Sequence, residues 1–168
     1  MAGSLSSGRM KKIQTLQDFV KILSSLKETS QATVLVGGCF DILHIGHIKF
    51  LKEAKKTGDI LVVLVESDIK VKELKGRERP LFIQKERAEV LAALNYVDYV
   101  ILLPEMKQNQ DYEKIIQQVR PDISAVTEND PLLAKKKSQA ELVNGKLIIV
   151  PRVKTFSSSK LVEILGIE

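Results

Sequence analysis

The chain reads as a single doubly wound α/β domain built on a five-stranded parallel sheet, and two observations carry that reading. Short apolar runs alternate along the chain with stretches of helical periodicity, and one run, Ile60-Leu61-Val62-Val63-Leu64-Val65, is apolar without a break, as a strand must be when helices cover both faces of its sheet. An earlier run, Thr33-Val34-Leu35-Val36, passes directly into a glycine turn and then a helix. That puts the turn at the carboxyl end of a strand, where ligands bind in sheets of this kind.

Taken in order, the chain supports the architecture element by element. Residues 1–12 are expected to be a disordered or tag-like lead-in, small and polar with a second methionine, and residues 13–168 to be the domain. A helix is predicted over residues 15–28: Thr15 with Asp18 resembles a capping box, and Leu16, Phe19, Val20, Leu23 and Leu26 form one stripe. The first strand, residues 33–36, and its helix are followed by a Gly58-Asp59 turn and the second strand, residues 60–65. The segment 67–80 is polar and basic, and within it Lys70 to Pro80 is expected to be a mobile loop over an anionic ligand. A helix over 84–94 and a third strand over 97–102 come next, then a helix over 111–119 closed by Pro121 and a fourth strand over 123–126. Asp130-Pro131 predicts a cap and a proline in the first turn of a helix running toward Asn144-Gly145, with Lys135-Lys136-Lys137 on its solvated face. Residues 146–150 form the fifth strand, and Ser157 caps a last helix that Gly166 ends.

Composition narrows the functions. The 168 residues carry 26 basic and 21 acidic side chains, a net charge of +5, which suits an anionic ligand. Aromatics make up 5% and no basic patch is studded with them, so no nucleic-acid partner is expected. No apolar run is long enough to span a bilayer, so no membrane association and a cytoplasmic location are expected. One cysteine, Cys39, excludes an internal disulfide, and a small residue in a tight turn needs no catalytic role. G-x-G-x-x-G and G-x-x-x-x-G-K-[ST] are both absent, which argues against a dinucleotide-dependent oxidoreductase and a P-loop enzyme.

The chemistry concentrates in Gly37-Gly38-Cys39-Phe40-Asp41-Ile42-Leu43-His44-Ile45-Gly46-His47. A helix N-terminus offers unpaired N–H groups and the positive end of a dipole, which favour a phosphate before any side chain is added. His44 and His47, the two histidines of the chain, stand three apart and so share one face of a helical turn, with Gly46 leaving space between them. Two aligned donors beside a phosphate-binding turn suit a reaction in which negative charge builds on phosphate oxygens. Further basic or hydroxylic groups fall at other carboxyl strand ends: Lys75 and Arg77 after the second strand, Arg87 in a Glu-Arg helix, and Arg152 with Ser157, Ser158 and Ser159 before the last helix. Arg87 is as readily placed in an ion pair with Glu86 or Glu89 as against a substrate.

Gly38-Cys39-Phe40-Asp41-x-x-His44-x-Gly46-His47 resembles the signature of the cytidylyltransferase-like nucleotidyltransferases, whose HxGH motif stands here as His-Ile-Gly-His. The leading helix and Leu74-Lys75-Gly76-x-x-Arg79-Pro80 are similar to the adenylyltransferase domain of heptose-phosphate enzymes, and Arg152 falls where glycerol-3-phosphate cytidylyltransferases carry an arginine. The resemblance implies a Rossmann-like fold and transfer of a nucleoside monophosphate from ATP, or CTP, to a phosphate-bearing small acceptor such as a sugar phosphate. It implies catalytic roles for His44, His47, Lys75 and Arg152, and nucleotide contacts for Gly38, Cys39, Phe40, Asp41, Gly46, Ser157, Ser158 and Ser159. Mg²⁺ is implied with the triphosphate, acceptor contacts for Arg77, Arg87 and Asp130, and a possible homodimer. The family's Gly-Gly-Asp loop is replaced by Thr127-Glu128-Asn129-Asp130, of which only Asp130 matches. A glycerol-3-phosphate cytidylyltransferase, an FAD-synthase-like adenylyltransferase and a non-catalytic nucleotide sensor remain as alternatives.

Overall fold

A computed structural model describes residues 12–166, apart from the side chain of Ser158. Most of the expected lead-in therefore lies outside the described residues. The sheet has six strands rather than five, all parallel, in the order β1-β4-β3-β2-β5-β6. They are β1 (Ile13–Thr15), β2 (Thr33–Gly38), β3 (Ile60–Val65), β4 (Tyr99–Leu102), β5 (Ile123–Thr127) and β6 (Lys146–Val150). The extra strand is β1, which pairs Ile13 with Val100 at the sheet edge. Three residues are too few to establish a period of two, and this strand exists because β4 offers it a ladder.

Seven helices connect the strands among the described residues: α1 (Leu16–Glu28), α2 (Ile45–Lys55), α3 (Asp68–Lys75), α4 (Gln84–Ala92), α5 (Asn109–Val119), α6 (Leu133–Glu141) and α7 (Ser158–Ile164). Thr15 caps α1 by accepting from the Asp18 N–H at 3.2 Å. The expected loop 70–80 is helical over its first half, as part of α3, because the Ser67 hydroxyl caps the helix and Val71 anchors it in the core. Lys72 is exposed and Lys70 half-buried, so a dense run of charge concealed a helix held by one buried side chain. α6 starts later than the Asp130-Pro131 pattern predicts, since the Asp130 carboxylate bonds to Leu132 N in a turn instead of capping the helix directly.

The unbroken apolar strand divides its side chains between two layers, as a period of two demands. Leu61, Val63 and Val65 pack with Leu51 and Ala54 of α2 and Ala88 and Leu91 of α4. Ile60, Val62 and Leu64 face Phe19 and Leu23 of α1 and Ile115, Ile116 and Val119 of α5. From central β2 the order runs outward through β3 on one side and β5 on the other. That reversal opens a crevice past the carboxyl ends of β2 and β5, and Gly37-Gly38 ends the first of them.

Candidate active site

The crevice holds a cleft of about 390 Å³, and its floor is the turn from β2 into α2. Phe40 takes a left-handed conformation, φ 47°, which reverses the chain immediately after the strand. Its ring lies so close to Gly38 that an added Cβ would fall 3.0 Å from it, and it meets the His47 ring edge-on with centroids 5.4 Å apart. The glycine therefore makes room for the aromatic that supports the second histidine.

His44 is the N-cap of α2, and both imidazoles take part in the cap. Gly46 N donates to His44 Nδ1 at 3.1 Å, and His44 N donates to His47 Nδ1 at 3.4 Å. With Nδ1 accepting in each ring, the proton of each neutral imidazole belongs on Nε2. Their centroids stand 3.9 Å apart, and both residues line the cleft. Burial, then the charges of His44 and Lys75, lower the His47 pKa to about 4, an effect that a backbone hydrogen bond at Ile42 offsets only in part. Burial and then Arg152 also hold His44 below the ordinary histidine value. The pair is thus a set of uncharged N–H donors at neutral pH. A Cβ on Gly46 would lie 2.9 Å from two atoms of the His44 ring and 2.9 Å from Thr155 Cγ2, so the glycine also lets the segment before α7 close over the histidines.

Lys75, the last residue of α3, lines the cleft, and Gly76 ends the helix at φ 108°, a conformation suited to glycine. Arg152 lines it from the segment after β6, with its backbone N–H held by Glu128 Oε1 at 3.0 Å. Ser157 also lines it while its hydroxyl caps α7, accepting from Lys160 N at 3.2 Å. Asp130 reaches the cleft paired to Lys136 Nζ at 2.7 Å.

Other expected site residues sit elsewhere or are already engaged. Ser159 and Arg77 line a separate cavity of about 240 Å³ that shares Lys75 with the cleft. Asp41 touches the cleft, but its carboxylate accepts from Leu81 N at 2.9 Å and Phe82 N at 3.1 Å and pairs with the buried Arg79 guanidinium. It therefore ties the turn to the segment after α3. Arg87, 1% exposed, donates to the carbonyls of Phe82, Cys39 and Glu66 and to the Asp68 carboxylate, not to Glu86 or Glu89. Cys39 lines the cleft as a thiol whose pKa burial raises, opposite to what a nucleophile needs.

Sequence reasoning missed Lys136, Glu128 and Asn129, all on the cleft wall. Nothing in a run of three lysines says which one turns inward. Asn129, at φ 62°, does carry a signal: asparagine is among the residues that tolerate the left-handed conformation. No group of three or more His, Cys, Asp or Glu side chains able to hold a metal occurs among the described residues.

A parallel α/β domain with a cationic cleft and paired imidazole donors at the switch point of its sheet defines a phosphate-binding nucleotide domain. More narrowly, the chain belongs to the cytidylyltransferase-like family, whose model matches residues 35–164. It is 36% identical over 154 residues to the bifunctional protein HldE of Koribacter versatilis, a match covering 90% of this chain and 31% of that protein. Over 103 residues, 61% of this chain and 21% of the relative, it is 47% identical to the bifunctional protein HldE of Helicobacter pylori. The chain thus spans about a third or less of the length of these relatives. Among solved structures it resembles the lipopolysaccharide core biosynthesis protein of Thermoplasma volcanium, with TM-score 0.61 and 32% identity over 75% of this chain and 99% of that one. The pantoate-beta-alanine ligase of Francisella tularensis shares the fold, with TM-score 0.63 at 19% identity over 92% of this chain and 78% of that one.

Proposed function

We propose that this chain is a nucleotidyltransferase that moves AMP from ATP to a phosphate-bearing small acceptor, a sugar phosphate in the first instance, with release of pyrophosphate. The observation that carries the reading is the pair of neutral imidazoles on the cleft, whose Nδ1 atoms are occupied by the helix cap so that the Nε2 side of His44 and His47 is the donor side. Kinship with the HldE proteins supports ATP and a sugar phosphate over CTP and glycerol 3-phosphate.

A phosphate oxygen of the acceptor attacks the α-phosphorus, a new P–O bond forms, and the bond to the bridging oxygen breaks so that pyrophosphate leaves with its electron pair. Such a reaction needs positioning and charge stabilisation more than a covalent nucleophile. His44 and His47 donate to the α-phosphate oxygens as charge builds on them, Lys75 and Arg152 bracket the phosphate chain, and Ser157 borders it. Mg²⁺ is expected with the triphosphate and supplies charge neutralisation when bound. Glu128 and Asp130 are engaged by the Arg152 backbone and by Lys136, so the ion would be held through phosphate oxygens.

The test is pyrophosphate release with ATP and CTP in parallel against a heptose 1-phosphate and glycerol 3-phosphate. Release with ATP and the sugar phosphate is expected, and His47→Ala should lower kcat by about 10²- to 10³-fold, the usual loss for one transition-state donor. A folded His47→Ala protein with full turnover would overturn the assignment. Release only with CTP and glycerol 3-phosphate would replace the nucleotide and the acceptor but keep the mechanism.

A further inference from the structure

The cavity of about 240 Å³ lies between the turn that follows α3 and helix α7. Three cations reach it from alternate positions of that turn, Lys75, Arg77 and Arg79, and Arg79 N closes the turn by donating to Gly76 O at 3.2 Å. Arg77, Arg79 and Ser159 line this cavity and not the cleft, whereas Lys75 lines both. The transfer reaction derived above uses none of the first three. Arg79 sets the cavity apart from an ordinary basic surface. Its side chain is 4% exposed, its Nε donates to the Asp41 carboxylate, and its Nη2 is a buried donor without a hydrogen-bond partner. A buried donor on a charged group is costly to leave unmade, and its place on a cavity gives the missing acceptor room to come from outside the chain. Arg77 is exposed and takes part in no hydrogen bond or ion pair among the described residues, and the Ser159 hydroxyl is likewise unengaged there. Asp41 and Glu78 offset part of the charge, but three cations outnumber two carboxylates.

We propose that this cavity is a second anion site, separate from the cleft, that binds a free phosphate ion, orthophosphate or pyrophosphate, and weakens nucleotide binding by doing so. The planar guanidinium forks of Arg77 and Arg79 match pairs of phosphate oxygens, which a lone ammonium does not orient. A liquid water occupies about 30 Å³, so the cavity admits such an ion with part of its hydration, while it falls below the roughly 300 Å³ at which sites for larger ligands begin. The effect on the nucleotide follows from Lys75. Its ammonium has three donors, and each one turned to an anion in the cavity is withdrawn from the cleft. The linkage is reciprocal, so phosphate and nucleotide lower one another's affinity by the same factor. The site itself does not rest on the transfer reaction, but its action on the nucleotide rests on the cleft's being the nucleotide site.

The test is calorimetric titration of orthophosphate and of pyrophosphate into the full chain saturated with a non-hydrolysable ATP analogue, at an ionic strength held constant with chloride. The loaded chain, its cleft filled, should still bind one ion, and whichever of the two binds more tightly identifies the ion the site serves. Arg77→Ala should weaken this binding by about tenfold or more, the loss of one charged hydrogen bond. Glu78→Gln removes a carboxylate from the same wall and should tighten it by up to about fivefold, a gain that no folding defect can produce. In the converse titration, phosphate should weaken the analogue about fivefold or more and the loss should level off as the site fills. No ion bound by the loaded chain, binding indifferent to both substitutions, or a loss of analogue affinity that grows with phosphate without levelling off, as competition inside the cleft requires, would overturn the proposal. Pyrophosphate release from ATP and a sugar phosphate separates the two readings. Release without phosphate binding to the loaded chain keeps the transfer reaction and discards the site; phosphate binding that depends on Arg77 and Glu78 without any release does the reverse.

Discussion

Arg87 and Arg152 carry the same side chain into opposite circumstances. Arg87 is 1% exposed and divides its donors among three backbone carbonyls and the Asp68 carboxylate, so it joins the turn after β2, the end of β3 and the start of α4. Arg152 is exposed on the cleft, its backbone pinned by Glu128 and its charge felt by His44. The first is a frame whose guanidinium satisfies carbonyls that no helix or strand can reach. The second is a cation aimed at space where an anion fits. Asp41 with Arg79 belongs to the frame and Lys75 to the cleft. The difference teaches that charge near a phosphate site is not evidence of contact with phosphate; what decides is whether the protein has already used the donors.

The largest expected effect tests the frame. Arg87→Ala leaves the carbonyls of Cys39, Phe82 and Glu66 without that donor and Asp68 without its partner, at a cost of about 3–5 kcal/mol, the range for breaking a buried charged network from one side. Urea unfolding should give this as a lowered midpoint. Arg87→Lys should rescue little, because an ammonium on a single stem cannot reproduce a planar fork serving four acceptors. A loss below about 1 kcal/mol would remove the distinction between the two arginines.

The converse effect is smaller and falls on a different measurement. Arg152→Ala should change unfolding free energy by no more than about 0.5 kcal/mol, as exposed positions do. It should lower kcat/KM for the triphosphate by about 10- to 100-fold, the value of one charged hydrogen bond of about 1.5–3 kcal/mol. An Arg152→Ala protein that is destabilised but turns over normally would move this residue into the frame.

How much of this was legible from the sequence follows the same division. The β2 turn and its histidines are local in the chain, so spacing alone brings His44 and His47 together at a helix start, and the apolar strand 60–65 announces its own burial. What could not be read is non-local. Arg87 finds Cys39 across 48 positions and Arg79 finds Asp41 across 38, and no periodicity encodes either meeting. Lys136 looks like its neighbours until the turn at Asp130 selects it. Glu66 reads as the end of a strand until Tyr112, from α5, covers it. β1 is invisible because its cause lies in β4. Motif positions whose side chains are satisfied inside the protein, such as Asp41, resemble ligand contacts in sequence for a different reason: both uses require the same residue in the same place.

The smallest expected effect separates the histidines from the frame by their protons. An imidazole that titrates near 6.5 when unfolded and at about 4 at position 47 when folded binds fewer protons in the native state throughout the interval between those values. Unfolding then takes up protons, so the stability associated with His47 is complete above pH 6.5 and is lost as pH falls toward 4, with a slope of no more than about 1.4 kcal/mol per pH unit. Carboxylates titrate over part of the same range, so the measurement is the difference between the parent chain and His47→Asn in urea unfolding at a series of pH values from neutral to acid. The substitution should flatten the slope in this window and leave Arg87-dependent stability untouched. With a non-hydrolysable ATP analogue bound, phosphate oxygens against the imidazole N–H groups favour the imidazolium, so the parent chain should bind the analogue with proton uptake near pH 5 and the variant, which keeps only His44, should take up fewer protons. A slope and a proton uptake unaltered by His47→Asn would mean that the ring neither titrates as its burial requires nor faces the phosphate.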